Sequence, residues 1–333
     1  MRTTLRLTLS ASAALLVLAA CGDGDDGAST DGGGTRQVDV GYIADYNGAA
    51  LFAVADEQGL WEAAGLEPKY QVFTNGPLSI QALGAGDVDI AYIGSGAAWL
   101  PAQGKAEVWA VNSASKADRV IAQPGITSLE DLKGRKVGVP AGTSGDLLLG
   151  LALADAGLSR DDIEIVPMDP STVVSAFSAG QIDAAGIWYP LVDTIKESVP
   201  DLEELADNEQ FMPERTFPSS IVARTGLAED DPDLAADVVS VIKQANDYRY
   251  ANPEETIATT AEFLDVDEAQ IAPQHDAALL FTSEELEGWS ADGTVAGWFD
   301  GLQELFVEVG TVTEVTDSTD FYLADTYVDA PNS

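Results

Sequence analysis

Ala85-Gly86-Asp87-Val88-Asp89-Ile90-Ala91-Tyr92-Ile93 is answered further along the chain by Ala179-Gly180-Gln181-Ile182-Asp183-Ala184-Ala185-Gly186-Ile187. Each copy ends a helix on a glycine turn and enters a short apolar strand. The segments upstream repeat too. Ala64-Gly65-Leu66 leads into Lys69-Tyr70-Gln71-Val72-Phe73, and Ala156-Gly157-Leu158 leads into Asp162-Ile163-Glu164-Ile165-Val166, so the spacing stays near 93 residues. Short strands alternating with helices indicate crossover units and mainly parallel sheets, and two such units in succession indicate two similar α/β lobes.

The pattern predicts strands over 38–43, 70–73 and 89–93 in the first lobe, with helices over 49–64 and 77–83 and a helical start over 97–103. The second lobe repeats this with strands over 136–139 and 183–188 and helices over 145–156 and 172–179. From Asp231 onward the chain turns to helices, over 233–250, 253–263, 267–279 and 295–309. A chain that leaves the first lobe near Ser113 and returns near Ser220 crosses between lobes twice, which is the topology of a hinged clamp. The expected domains are therefore lobe I over 36–115 and 221–333, including the C-terminal helices, and lobe II over 116–220.

The start of the chain reads differently. Arg2 and Arg6 precede an apolar stretch from Leu7 to Ala20, and Leu18-Ala19-Ala20 stands before Cys21, the one cysteine of 333 residues. That stretch of 14 residues is shorter than the roughly 20 needed for a spanning helix, so residues 1–20 are expected to be a cleaved lipoprotein signal peptide. Leu18-Ala19-Ala20-Cys21 resembles a bacterial lipobox, which implies lipid on the Cys21 thiol and a membrane tether. Residues 21–35, almost all Gly, Asp, Ser, Thr and Ala, are too poor in apolar surface to order themselves and are expected to be a flexible acidic linker.

The whole chain has a formal charge of −40. Loss of residues 1–20 removes two arginines and leaves 14 − 56 = −42. Nucleic acid is excluded as a partner, because phosphate binding needs clustered cations. Such self-repulsion is best tolerated where salt screens it, which points to a saline habitat or an acidic proteome. With 46% hydrophobic residues the chain can bury substantial cores.

Ligands of open parallel sheets bind outside the carboxyl ends of the strands. The loops there share a chemistry: Ala44-Asp45-Tyr46-Asn47-Gly48, Thr74-Asn75-Gly76-Pro77, Gly94-Ser95-Gly96, Ala141-Gly142-Thr143-Ser144-Gly145 and Asp169-Pro170-Ser171-Thr172. Glycine admits close backbone approach, hydroxyls and amides donate, and helix N-termini attract negative charge, so these corners suit a small anion without Lys or Arg. Each of these residues is also an ordinary helix cap when taken singly. Trp188 and Tyr189 close the last strand of the second lobe and offer a ring to an apolar or cationic group, with core packing as the alternative; core packing is the favoured reading for Trp99. Asp45 reads equally as a helix cap or as the partner of an ammonium.

No catalytic set assembles. His275 is the sole histidine and is expected on the surface of a polar helix. No nucleophile elbow, Walker loop or metal-spaced His/Cys cluster occurs, so neither an enzyme nor a metal or other cofactor is expected.

Gly41-Tyr42-Ile43, Ala55-Asp56-Glu57-Gln58-Gly59-Leu60-Trp61, Asn75-Gly76-Pro77, Ala85-Gly86-Asp87-Val88-Asp89 and Gly94-Ser95-Gly96 stand in a specific order. They are followed by Gly125 through Pro140, Gly180-Gln181-Ile182-Asp183 and Ile187-Trp188-Tyr189-Pro190. In that order they resemble the substrate-binding proteins of nitrate, taurine and aliphatic sulfonate ABC importers. The resemblance implies a two-lobed clamp of the periplasmic-binding-protein type II kind, monomeric, closing on a small molecule and presenting it to a permease. It also implies lipid anchoring on the outer face of a Gram-positive cell membrane. Ser95, Gly96, Thr143 and Ser144 would form the anion end of the pocket, with Asn75 and Trp188 beside it; Tyr46, Asn47, Gly94, Gly145 and Tyr189 complete the candidate set. Taurine-binding relatives carry an acid near the return crossover. This chain has none in Arg215-Thr216-Phe217-Pro218-Ser219-Ser220, which argues against taurine itself unless Asp45 substitutes. Binders of thiamine pyrimidine precursors share the fold, so a heteroaromatic ligand on Trp188 stays open.

Overall fold

A computed structural model describes residues 35–332. The expected signal peptide, Cys21 and nearly all of the expected linker lie outside the described residues. Strand β1 (Arg36–Ile43) leads into α1 (Tyr46–Glu57), α2 (Leu60–Ala63), β2 (Leu66–Phe73), α3 (Gly76–Ala85), β3 (Ile90–Ile93), α4 (Trp99–Ala102) and β4 (Glu107–Ser115). The chain then builds a second sheet from β5 (Asp118–Ala122), β6 (Lys136–Val139), α5 (Ser144–Asp155), β7 (Glu164–Pro167), α6 (Pro170–Ser178), β8 (Ala184–Trp188), α7 (Leu191–Ser198) and β9 (Glu203–Asp207). It returns through β10 (Pro218–Ala223) to α8 (Leu227–Asp230), α9 (Pro232–Ala251), α10 (Pro253–Leu264) and α11 (Glu268–Asp276). The last elements are β11 (Ala278–Leu279), α12 (Ser283–Ala291), α13 (Thr294–Glu308) and α14 (Ala324–Asp329).

The first sheet has the order β11-β4-β10-β3-β1-β2 and the second β7-β6-β8-β5-β9. Strands β2, β1 and β3 run parallel, with Val40 opposite Tyr70 on one side and Ile90 on the other. Strands β7, β6 and β8 form the matching parallel set. The crossing strands join antiparallel, β10 to β3 and β4, and β5 to β8 and β9. The expectation of mainly parallel sheets therefore holds for the repeated units, while each whole sheet is mixed. Repeat arithmetic sees the units and misses β4, β5, β9 and β10, which have no counterpart in it.

Local chemistry sets the helix starts. Asp45 caps α1 by accepting from the Gly48 amide, and Asn75 caps α3 by accepting from that of Leu78, with Pro77 in the first turn. Helix α5, Ser-Gly-Asp-Leu-Leu-Leu-Gly-Leu-Ala-Leu-Ala-Asp, is apolar on all faces from Leu147 to Leu153, and that stretch must be covered on every side. Leu148, Leu149, Ala152 and Leu153 pack into the core under the second sheet, while Leu147 and Leu151 enter the large core of the first. One helix thus belongs to both halves.

Candidate ligand-binding site

The carboxyl ends of β1, β2, β3, β6 and β8 face one cavity, as does the β4-to-β5 crossing. It holds about 490 Å³ of space, part of it continuous with solvent. Asp45, Asn47, Asn75, Gly94, Ser95, Thr143, Ser144, Trp188 and Tyr189 line it. These residues come from loops far apart in sequence and from both sheets.

Three of the expected site residues sit behind the wall. Tyr46 is 0% exposed, and its hydroxyl meets His275 Nδ1 at 2.9 Å, the first turn of α1 having rotated the ring away from the cavity. This also corrects the surface placement of His275, whose half-buried ring has its pKa lowered by desolvation. Gly96 lies where a Cβ would stand 2.0 Å from the carbonyl carbon of Thr143, so it is a backbone contact between the two halves. Gly145 packs on the backbone of Gly186 and Ile187, where a Cβ would approach to 2.7 Å. Of the five donor-rich loops, the one before α6 does not reach the cavity.

The donors are arranged as follows. Thr143 gives its hydroxyl proton to Pro140 O at 2.6 Å, so it does not cap α5 with its side chain. The N-terminus of this 12-residue helix, without a side-chain cap, stands at the cavity through Thr143 and Ser144, and a helix dipole favours negative charge at such an end. Asp146 accepts from the Gly142 amide at 2.9 Å and pairs with Arg160, which fixes the loop before α5. Ser95 is 1% exposed and its hydroxyl has no partner. Tyr189 is held by Lys196 Nζ at 2.7 Å and Glu204 at 3.1 Å, with the Arg119 guanidinium 5.1 Å from its ring centre.

Sequence reasoning missed Tyr92, Ser115 and Asp118 in the lining. Asp118 matters most. It is 1% exposed, and neither carboxylate oxygen has a hydrogen-bond partner among the described residues. Burial pushes its pKa up to about 6; Ser144, Asn208 and Ser115 stand near enough to oppose the rise, though none reaches hydrogen-bonding geometry. Burial likewise raises Asp45 to about 7, against the Gly48 amide, with the charge of Asp118 adding to the rise. Among the described residues, no Lys, Arg or His lines the cavity. In a chain with 56 acids, one Asp at the head of a strand carries no signal of its own. Among the described residues, no group of three or more His, Cys, Asp or Glu is placed to hold a metal ion.

Similarity to known proteins agrees with this geometry. The profile of the NMT1/THI5-like family matches residues 47–256. The chain belongs to that family. A provisionally named binding protein of Brucella abortus is 53% identical over 288 residues, covering 86% of this chain and 90% of that protein. A provisionally named aliphatic sulfonates-binding protein of Bacillus subtilis is 27% identical, covering 77% of each. The crystal structure of the periplasmic aliphatic sulphonate binding protein SsuA from Escherichia coli superposes with a TM-score of 0.67 at 22% identity. It covers 88% of this chain and 99% of SsuA, so this NMT1/THI5-like protein has the two-lobed binding-protein fold.

Proposed function

We propose that this protein is the substrate-binding subunit of an ABC importer, which captures a small organic molecule between its two sheets and delivers it unchanged to a membrane permease. One observation carries the proposal: strand ends from both sheets converge on a single cavity lined by uncharged donors and buried carboxylates. The names of the sulfonate-binding relatives support the same reading. In the primary form the ligand is a small organic anion of the sulfonate, taurine or nitrate kind, its oxygens meeting Ser95, Ser144 and the first turn of α5. Isothermal titration of residues 35–333 with alkanesulfonates, taurine, nitrate and aminopyrimidines tests this. Silence toward every anion rejects that ligand class, and recovery of an altered compound rejects the receptor itself.

A second reading is favoured by Asp118. Two buried carboxylates and no lining cation suit a ligand with a cationic or N–H-donating group, alone or in a zwitterion. The partition of strands between the two sheets supports lobes over 36–115 with 221–333, and over 116–220. We further propose that Cys21 carries lipid and tethers the protein to the outer face of the membrane through residues 21–35; Cys21→Ser should release it into the medium. A Cys21→Ser protein that stays with the membrane fraction overturns the tether.

A further inference from the structure

We infer that Arg249, on α9 outside the cavity lining, is a positioning residue for the ligand site, orienting Asn47 on the cavity wall through Asn112 and Ser113. The inference rests on the cavity between the sheets being where ligand binds, as proposed above.

Arg249 is 0% exposed and has no carboxylate partner among the described residues. Its guanidinium donates to Asn112 Oδ1 at 2.9 Å, to the Asn112 main-chain oxygen at 2.5 Å and to Asn246 Oδ1 at 2.7 Å, and its Nε is left without an acceptor. An uncompensated buried cation is costly, and a long apolar side chain would fill the same volume without that cost. What the guanidinium alone provides is a rigid fork that can only donate and does not lose its charge. Its bond to Asn112 Oδ1 turns Asn112 Nδ2 the other way. There Nδ2 donates to the main-chain oxygen of Asn47 at 3.0 Å and to Ser219 Oγ at 3.1 Å. Ser113, next along β4, gives its hydroxyl proton to Asn47 Oδ1 at 2.9 Å. Asn47 is thus gripped at backbone and side chain together. Its Nδ2 has no protein acceptor among the described residues and remains for the cavity that Asn47 lines. The site therefore presents an amide donor on the same wall as the Asp45 acceptor, and a ligand oxygen is the group it fits.

The test reads Asn47 itself. In ¹⁵N-labelled protein the Asn47 side-chain amide pair is assigned by its loss in Asn47→Ser. Arg249→Lys, which keeps the charge and loses the fork, and Ser113→Ala, which cuts only the last link, should each shift and broaden that pair. An unmoved pair in folded Arg249→Lys overturns the inference; if Arg249→Lys does not fold, Asn112→Ala, which removes the link between Arg249 and Asn47, decides in its place, and an unmoved pair there overturns it. Titration with ethanesulfonate should weaken at least about fivefold in Ser113→Ala, the loss of one hydrogen bond. If ethanesulfonate binds no form of the protein, the sulfonate reading fails while the amide signal still decides the role of Arg249.

Discussion

Asp118 holds a carboxylate that is buried and unpaired, and a group kept in that state weakens the fold. Asp118→Asn keeps the shape and removes the charge, so it should stabilise the ligand-free protein by about 1–3 kcal/mol, read as a rise in denaturation midpoint. The sign of the pH dependence follows from the raised values. The folded state holds protons on Asp118 up to about pH 6 and on Asp45 up to about pH 7, above the ordinary carboxylate range. Their contribution to stability is therefore full below about pH 4 and is lost as pH rises toward 7. For Asp118 the span is on the order of 3 kcal/mol, and the difference between wild type and Asp118→Asn across that range isolates it. The same protons separate the two ligand classes. A cation needs both carboxylates ionised, so its affinity should rise between pH 5 and 8; an anion is repelled by them, so its affinity should fall. Calorimetry at several pH values with one sulfonate and one amine gives the sign directly.

The elements show where sequence periodicity is informative and where it stops. Helix α1 starts where Asp45 can cap it, and the cap residue also lines the cavity, so serving as the cap does not remove Asp45 from the candidate site. The middle of helix α5, from Leu147 to Leu153, is uniformly apolar, a pattern that announces burial and does not say against what. The answer is that it packs on both halves, with Gly96 of the first meeting Thr143 of the second. Gly96→Ala places a methyl into that backbone contact and should hold the two corners apart. We expect at least tenfold weaker ligand binding with a folded protein, checked by titration and circular dichroism. Gly145→Val forces a branched side chain against Gly186, an overpacking change of about 1–3 kcal/mol, visible in urea denaturation.

Across the whole molecule the acidic excess sets the response to salt. A chain of formal charge −40 repels itself, and the charges are distributed over a surface that ions screen within about 10 Å at 0.1 M salt. The melting temperature should climb from low salt to 1 M sodium chloride; a flat profile would show that the surface charges do not govern stability. The field of that surface also disfavours an approaching anion, so the anion reading relies on the oriented amides of α5 at short range. An anion's association rate should therefore increase with salt, the reverse of ordinary steering of opposite charges.

The sequence by itself determined the two repeated α/β units, the helical tail and most of the cavity-lining loops, because periodicity, caps and glycine turns are local and survive in a one-dimensional reading. It did not determine which of those residues face the cavity. Tyr46, Gly96 and Gly145 stand in the right loops but not in the lining, since a rotation within one helical turn directs the Tyr46 ring to His275 and backbone packing occupies the two glycines. Asp118, Tyr92 and the chain from Arg249 through Asn112 to Asn47 were decided only by tertiary structure. Their partners lie up to 137 residues away, and hydrogen bonds between such distant positions leave no periodic trace.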